Sequence, residues 1–349
     1  MPESHCAERR RRGFYPRDHN EVLKIMADRK VVVVGCGLIG SYHIMGALCA
    51  STPLRTQGVD INPEAIRKAQ AKISRELDGI GGLEFADGLE RAWAEPDLTI
   101  VATLATNRSD MIKRLLKAGH RRFLVEKMVC QAAAEYKALL SALKQHGAKA
   151  WVNTIRRYND VYRTIAERLG PGPITLDVVA HNIGLGSNAI HYLDLLAMFG
   201  RRARITLHGD RLDRKLYANK RGQDLLELAG LITGETSEGD RVSVCFLPMD
   251  TQLVCVRIAS AEAHAVVDEL NRKACLWGTN QGGEWAQFDY REPRVSEATA
   301  QIVDEILRTD TCFLPTLEEA FDVHDELFRI FNAHLKRLRG RAPEMCPVT

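Results

Sequence analysis

Four consecutive valines, Val31 to Val34, run directly into Gly35-Cys36-Gly37-Leu38-Ile39-Gly40. A short run that is apolar at every position reads as a strand buried on both faces, the texture of a parallel sheet. The glycines keep a G-x-G-x-x-G spacing, the helical pattern Leu38 to Ala50 follows, and Asp60 lies twenty residues past Gly40. Strand, glycine turn, helix and acid in that order make a dinucleotide fingerprint. Gly35 permits the tight turn, Gly37 lets the backbone approach a pyrophosphate, and Gly40 allows close packing of helix on strand. Cys36, Leu38 and Ile39 complete the loop, whose N–H groups at the helix N-terminus meet the pyrophosphate. The competing reading is a glycine turn that holds no ligand. Asp60 either accepts from the adenosine ribose hydroxyls or merely complements the dipole of the helix that starts at Pro63 behind the N-cap Asn62. In the first case NAD is favoured over NADP, because a 2′-phosphate would face the carboxylate.

The pattern then alternates as βαβ units require, with strands at Gly58-Val59, Leu98 to Ala102, Phe123 to Val125 and Ala148 to Val152. Residues 21–150 are therefore expected to form a Rossmann domain with a doubly wound parallel sheet. Residues 151–349 are expected to form a second domain, mostly strand-like after about residue 170, with one face of its sheet covered. Its strands are read at Ile174 to Ala180, Asp224 to Ile232, Arg241 to Phe246 and Gln252 to Ala259. In the third of these Val242, Val244 and Phe246 alternate with Arg241, Ser243 and Cys245, the period of a half-buried strand. Two helices close the chain, with apolar stripes through Ile302, Val303 and Ile306 and then through Leu317, Phe321, Phe328 and Leu335. Residues 1–20 are polar and arginine-rich and are expected to form a flexible tail.

Composition narrows the function. With 349 residues, 45% of them hydrophobic, the chain has material for two ordinary domains. A net charge of +3 from 48 basic and 45 acidic side chains does not point to nucleic acid. No apolar run approaches the roughly 18–20 residues of a membrane span, and no secretory signal is visible, so a cytoplasmic protein is expected. The nine cysteines lack any C-x-x-C pair, which fits reduced thiols and no metal site. A small molecule becomes the expected partner. Lys127, in Glu126-Lys127-Met128 after the strand Phe123 to Val125, is either a solvated strand-end charge or a cation set over nicotinamide and substrate.

The order and spacing of Gly35 to Gly40, Ala102-Thr103 before Asn107-Arg108, Glu126-Lys127, Arg156-Arg157-Tyr158 and His191-Tyr192-Leu193-Asp194 resemble the Gfo/Idh/MocA oxidoreductases. The resemblance runs from about Lys30 into the last helix. It implies an N-terminal Rossmann domain, a C-terminal α/β domain with a large, mainly antiparallel sheet, and hydride exchange between NAD, or NADP, and a secondary alcohol or ketone of a sugar, sugar nucleotide or cyclitol. An exposed face of that sheet would suit a homo-oligomer such as a dimer or tetramer. It makes Lys127 and His191 the catalytic pair, and Ala102, Thr103, Asn107, Glu126 and Lys127 cofactor residues beside the glycine loop and Asp60. A neutral imidazole suits His191 to take the hydroxyl proton. Arg156, Arg157, Ser187, Asn188 and His191 become candidate substrate residues with Lys127; structural ion pairs are an equal reading of the two arginines, and loop or capping roles of Asn188. Asp194, one turn beyond His191, either reaches the same face or is tied into a structural network. Residues 182–194 also look like oxidoreductases of surface-glycan biosynthesis.

The chain departs from the family pattern twice. Met128 replaces the proline of the Glu-Lys-Pro motif, and since a non-proline cis bond costs about 2.5–4 kcal/mol the Lys127–Met128 bond is predicted trans, or else visibly strained. Ser187 stands where the family often carries an aspartate. Two other readings therefore stay open: a nicotinamide-binding sensor or scaffold without turnover, and an enzyme that uses tightly held NAD transiently for elimination or glycoside cleavage.

Overall fold

Val31, Val32 and Val33 are wholly excluded from solvent at the middle of a six-stranded sheet. The computed structural model describes residues 29–77, 79, 81–200, 203–219, 222, 224–278 and 283–348. The tail expected over residues 1–20 and the start of the first domain at 21–28 lie outside the described residues. In chain order the elements are β1 (Lys30–Val34), α1 (Leu38–Leu48), β2 (Arg55–Val59), α2 (Pro63–Glu76), β3 (Leu83–Ala86), β4 (Leu98–Val101), α3 (Arg108–Lys117), β5 (Arg122–Val125), α4 (Ala133–Gln145) and β6 (Lys149–Val152). There follow α5 (Asp160–Ala166), β7 (Thr175–His181), α6 (Leu185–Phe199), β8 (Ile205–Leu212), β9 (Tyr217–Ala218), β10 (Leu226–Glu227), β11 (Gly230–Thr236) and β12 (Arg241–Leu247). The chain ends through β13 (Leu253–Ala259), β14 (Ala263–Asp268), β15 (Lys273–Gly278), β16 (Trp285–Asp289), α7 (Val295–Thr309) and α8 (Leu317–Arg339). Among the described residues no helix is long and apolar enough to cross a membrane.

The first sheet has the order β3-β2-β1-β4-β5-β6 with every pairing parallel, the doubly wound dinucleotide order whose switch point lies between β1 and β4. Asn62 caps α2 as its sequence position suggests, its side-chain oxygen accepting from Glu64 N–H at 3.0 Å. The second sheet has the order β16-β15-β14-β13-β7-β12-β11-β8, and only the β7–β12 pairing is parallel. Val242, Val244 and Phe246 are buried while Arg241 is exposed, so the alternation read in β12 is the alternation of its faces. The run from Asp224 to Ile232, expected as one strand, is broken. It holds β10, then Leu228 and Ala229, and β11 begins at Gly230, whose φ of +107° suits glycine.

Contacts group residues 1–126, 141–153 and 294–313 in one unit and 127–140, 154–293 and 314–349 in the other. The sequence alone places a single division near residue 150. The difference at 294–313 is the work of α7, which buries Ala298, Ile302, Val303 and Ile306 and packs on α1. Gly46 of α1 makes room for it: a Cβ there would stand 2.5 Å from Thr299 Cβ and 2.6 Å from Ser296 O. Asp304 of α7 accepts from Ser51 N–H at 2.9 Å, Thr52 N–H at 2.7 Å and the Ser51 hydroxyl at 2.6 Å. A periodicity reading cannot see which sheet a late helix returns to.

Two further expectations are corrected. The Lys127–Met128 bond is cis. The trans expectation weighed the isolated bond, whereas in the fold Met128 and Val129 are fully buried and Val129 N–H donates to His324 Nε2 at 3.3 Å. Cys49 is disulfide-bonded, while Cys36, Cys130, Cys245, Cys255, Cys275, Cys312 and Cys346 keep reduced thiols. Disulfide pairing needs closeness in space and leaves no spacing signal in the sequence.

The α1–α7 contact yields a prediction. Gly46→Ala is expected to lower stability by about 1–3 kcal/mol in urea denaturation, because the new methyl meets backbone as well as side chain.

Candidate functional site

In the first unit the chain leaves β1 at Gly35, whose φ is +96° and where a Cβ would press to 3.0 Å on the peptide of Ala102-Thr103 at the end of β4. Five residues on, a Cβ at Gly40 would lie 1.7 Å from Gly35 O, so only glycine lets α1 descend this close to the strand. Gly37 differs, because a Cβ there would meet no protein atom within 4 Å. Its bareness serves no internal packing. It opens a cradle at the N-terminus of α1, where no side chain caps the helix and peptide N–H groups and the dipole favour a phosphate. Those residues fit a dinucleotide.

Asp60 follows β2 and accepts from Cys36 N–H at 2.7 Å and Asn62 N–H at 2.8 Å. A carboxylate has about four acceptor positions, so acceptors are left for ribose hydroxyls. Burial, and then the charge of Asp60, push the Cys36 thiol up to about 12, which keeps it a neutral wall of the turn. Leu38, Ile61 and Leu104 are exposed and follow β1, β2 and β4, three neighbouring strands, at the carboxyl edge. Such an apolar rim suits the flat face of an adenine. Ile61 and Leu104 escaped the sequence reading, although an apolar residue in a turn that leaves a strand end was a usable signal.

Glu126, at the end of β5, accepts through Oε1 from Asn153 Nδ2 at 2.6 Å and pairs with His43 Nε2 at 3.0 Å. His43 Nδ1 lies 2.8 Å from Thr299 Oγ1. Arg108, buried in the first turn of α3, donates to the carbonyls of Thr103 and Glu126 and so ties the ends of β4 and β5 together. Its signal was an arginine at a helix start, where the dipole disfavours a cation unless carbonyls receive it. Asn107 precedes it as an exposed residue with φ +62°.

In the second unit Lys127, Ser187 and His191 are buried, only 6%, 8% and 7% exposed. Lys127 Nζ donates to Ser187 O at 2.6 Å. Ser187 and His191 lie one turn apart on α6, and an i, i+4 pair shares a helix face. Asn188 Nδ2 donates to Gly184 O at 2.9 Å and to Ser187 Oγ at 3.3 Å, a role inside the helix start. Glu227 of β10, absent from the sequence reading, accepts from Ser187 N–H at 3.1 Å and from the Ser187 hydroxyl.

Arg156 and Arg157 turn to internal acids. Arg157 binds Asp194 through Nε and Nη2, both at 2.7 Å, so Asp194 belongs to a structural pair. Arg156 binds Glu269 at 3.1 and 2.9 Å and donates to Tyr192 OH at 2.9 Å. Tyr162 OH and Tyr192 OH also donate to Glu269, at 2.6 and 3.2 Å. Burial alone would raise the Glu269 carboxyl; the Arg156 charge and these hydrogen bonds outweigh it and hold the group below its ordinary 4.5.

Residues 29–154 match the model of the GFO/IDH/MocA oxidoreductase family, described by its NAD-binding Rossmann fold. The Rossmann domain of this chain belongs to the Gfo/Idh/MocA oxidoreductases. By that membership it is the NAD-binding domain of an oxidoreductase, and the cradle at Gly37 fits it. Among the curated proteins none matches the chain. Solved structures share the fold at low identity. An oxidoreductase from Agrobacterium radiobacter, solved with NAD+, L-tartaric acid and magnesium, is 12% identical, with 91% of this chain and 98% of that one covered and a TM-score of 0.68. The UDP-N-acetylglucosamine 3-dehydrogenase of Acidithiobacillus ferrooxidans is 15% identical over 86% and 96%, at 0.66. A super-repressor mutant of Gal80p from Saccharomyces cerevisiae is 13% identical over 89% and 97%, at 0.68.

Gly37→Ala separates ligand from fold. Its unfolding temperature is expected to stay within about a degree of the parent, since the methyl meets no protein atom, while NADH binds at least about tenfold more weakly by nicotinamide fluorescence. Glu269 predicts an acid dependence. A carboxyl depressed on folding contributes stability in full above its unfolded value and loses it as pH falls through the lower folded value. Glu269→Gln should therefore show a flatter loss of stability between about pH 6 and pH 3 than the parent in urea titrations.

Proposed function

We propose that this chain is an NAD-dependent oxidoreductase that transfers a hydride between C4 of nicotinamide and a secondary alcohol or ketone of a sugar, sugar nucleotide or cyclitol. The observation that carries the reading is the buried cluster of Lys127, Ser187 and His191, with the lysine ammonium 2.6 Å from the Ser187 carbonyl. An ammonium held at the Ser187 carbonyl and an imidazole one helical turn beyond Ser187 are groups that alcohol oxidation can use. The bound nicotinamide supplies the hydride acceptor or donor. In the oxidation direction Lys127 donates a hydrogen bond to the reacting oxygen and favours its developing charge. His191 takes the hydroxyl proton as the C–H bond gives up its electron pair, and returns it when a ketone is reduced.

Gly35 to Gly40, Ala102, Thr103 and Asn107 are assigned to the dinucleotide, Asp60 to the ribose and Glu126 to the end of β5 beside them. Asp60 gives NAD preference over NADP. Arg156 and Arg157 serve the substrate indirectly, by holding α6 through Tyr192 and Asp194. A dehydrogenase of a nucleotide sugar among the fold neighbours, and the resemblance of residues 182–194 to enzymes of surface-glycan biosynthesis, make sugar nucleotides the first substrates to try. A cytoplasmic homo-oligomer is the expected setting.

The test begins with parallel titrations of the purified protein with NADH and NADPH by nicotinamide fluorescence, then a panel of sugar nucleotides, sugars and cyclitols. Tighter NADH binding, stoichiometric consumption of cofactor and a Lys127→Ala variant that still binds NADH but is slowed by about 10²–10⁴-fold support the reading. Near-normal turnover by Lys127→Ala sinks the assignment. Normal NADH binding without turnover on any sugar replaces the enzyme by a nicotinamide sensor, the direction in which a repressor of the same fold points. Turnover with retained cofactor and no added NAD points to transient oxidation in an elimination or glycoside cleavage.

A further inference from the structure

Glu227 lies forty residues beyond Ser187 and closes over the N-terminus of α6. Its Oε1 accepts from Ser187 N–H and Leu228 N–H, both at 3.1 Å, and its Oε2 accepts from the Ser187 hydroxyl. Two glycines make the space. A Cβ at Gly184 would stand 2.0 Å from Glu227 Cδ, and one at Gly186 would stand 2.7 Å from Glu227 Oε1. Gly184 has an ordinary φ of −69°, so its backbone does not call for glycine. Gly186 sits in the first turn of α6, where helix propensity does not call for glycine either. The carboxylate is what both positions accommodate.

The strand that carries Glu227 is held in turn by the end of the chain. Leu226 N–H donates to Pro347 O at 2.7 Å, Cys346 N–H donates to Gln131 O at 2.8 Å, and Gln131 Nε2 donates to Val348 O at 3.2 Å. Cys346 and Val348 are fully buried, and a Cβ at Gly186 would also touch Val348 Cγ1 at 3.0 Å. The strap thus joins the segment after Lys127, the start of α6 and β10.

We propose that Glu227 is a positioning residue of the candidate site, acting through Ser187. It fixes the residue whose carbonyl receives the Lys127 ammonium, holding it by its N–H, and it takes the single hydroxyl hydrogen of Ser187. With its hydrogen committed, the Ser187 oxygen can only accept from any further group. The ligand atom it suits is a donor, such as a hydroxyl of a polyol. The proposal rests on the oxidoreductase reading.

The test uses the full chain with Glu227→Ala, Glu227→Gln and Gly184→Ala, read by amide exchange of residues 184–190, NADH fluorescence and kinetics on whichever sugar of the panel the parent turns over. Glu227→Ala is expected to speed exchange at Ser187 by about tenfold or more and to lower kcat by about 10–100-fold, with NADH affinity unchanged. Gly184→Ala should reproduce that pattern, since its methyl displaces the carboxylate without removing a charge. Glu227→Gln keeps an oxygen for the two N–H groups but turns an amide donor on the Ser187 hydroxyl. It is expected to keep the parent's exchange and still lose about tenfold in kcat. A merely structural role predicts full activity for Glu227→Gln, and that result, or unchanged exchange in Glu227→Ala, overturns the proposal. A parent that binds NADH and turns over no sugar overturns the oxidoreductase reading instead, and the exchange of Glu227→Ala then decides the contact by itself.

Discussion

The close approach of α1 to the turn after β1 is the constraint on which the first unit depends. Gly40 lies so near Gly35 O that a methyl group would stand inside the carbonyl oxygen, at 1.7 Å. That approach fixes the helix start directly over the strand end and turns the N–H of Cys36 toward Asp60. The same descent presses Gly35 against the peptide of Ala102-Thr103, so the ends of β1 and β4, the two strands at the switch point, are registered by contact. Arg108 extends the brace to β5 by binding Thr103 O and Glu126 O at once. Three loops at one sheet edge are thereby held by two glycines and one buried guanidinium.

The second unit solves a different problem, which is to bury charge around one helix without leaving it unpaired. Removing one member of a buried ion pair costs about 3–5 kcal/mol, so such pairs fix position even where they add little net stability. On α6, Tyr192 and Asp194 receive Arg156 and Arg157, and Glu269 closes the first of these pairs with two tyrosine hydroxyls. The face one turn earlier carries Ser187 and His191. A helix pinned by arginines at Tyr192 and Asp194 and by a carboxylate at Ser187 has little freedom to rotate, and that fixes the place of the His191 imidazole between them.

Much of this was legible in the residues because it follows from local period and local sterics. The four valines, the three glycines and Asn62 before Pro63 each announce a backbone geometry that few other residues allow, and the parallel sheet, the turn and the cap stand where they are read. What stayed hidden is what depends on distance along the chain. No period reveals that α7 returns to α1, nor that the arginine at 156 finds a glutamate at 269. Glu227 looks like one more polar residue in a broken strand until Gly184 and Gly186 are seen to be vacant for it.

Ser187 is the residue at which these two kinds of information meet. Read alone, a serine where the resemblance expects an acid suggests a dismantled site, and the sharing of this fold by a dehydrogenase and a repressor leaves that suggestion standing. Its contacts change the inference. The hydroxyl is bonded to a carboxylate, so negative charge is present at the start of α6 although its own residue carries none. A serine–glutamate pair also differs from a bare acid in what it offers, because a hydroxyl whose hydrogen is spent presents an uncharged acceptor. In the proposed oxidoreductase, an uncharged acceptor on the residue that receives the Lys127 ammonium would favour a ligand rich in hydroxyl groups over one that brings a second positive charge. The serine thus changes what the start of α6 offers, and leaves the Lys127 ammonium on the Ser187 carbonyl.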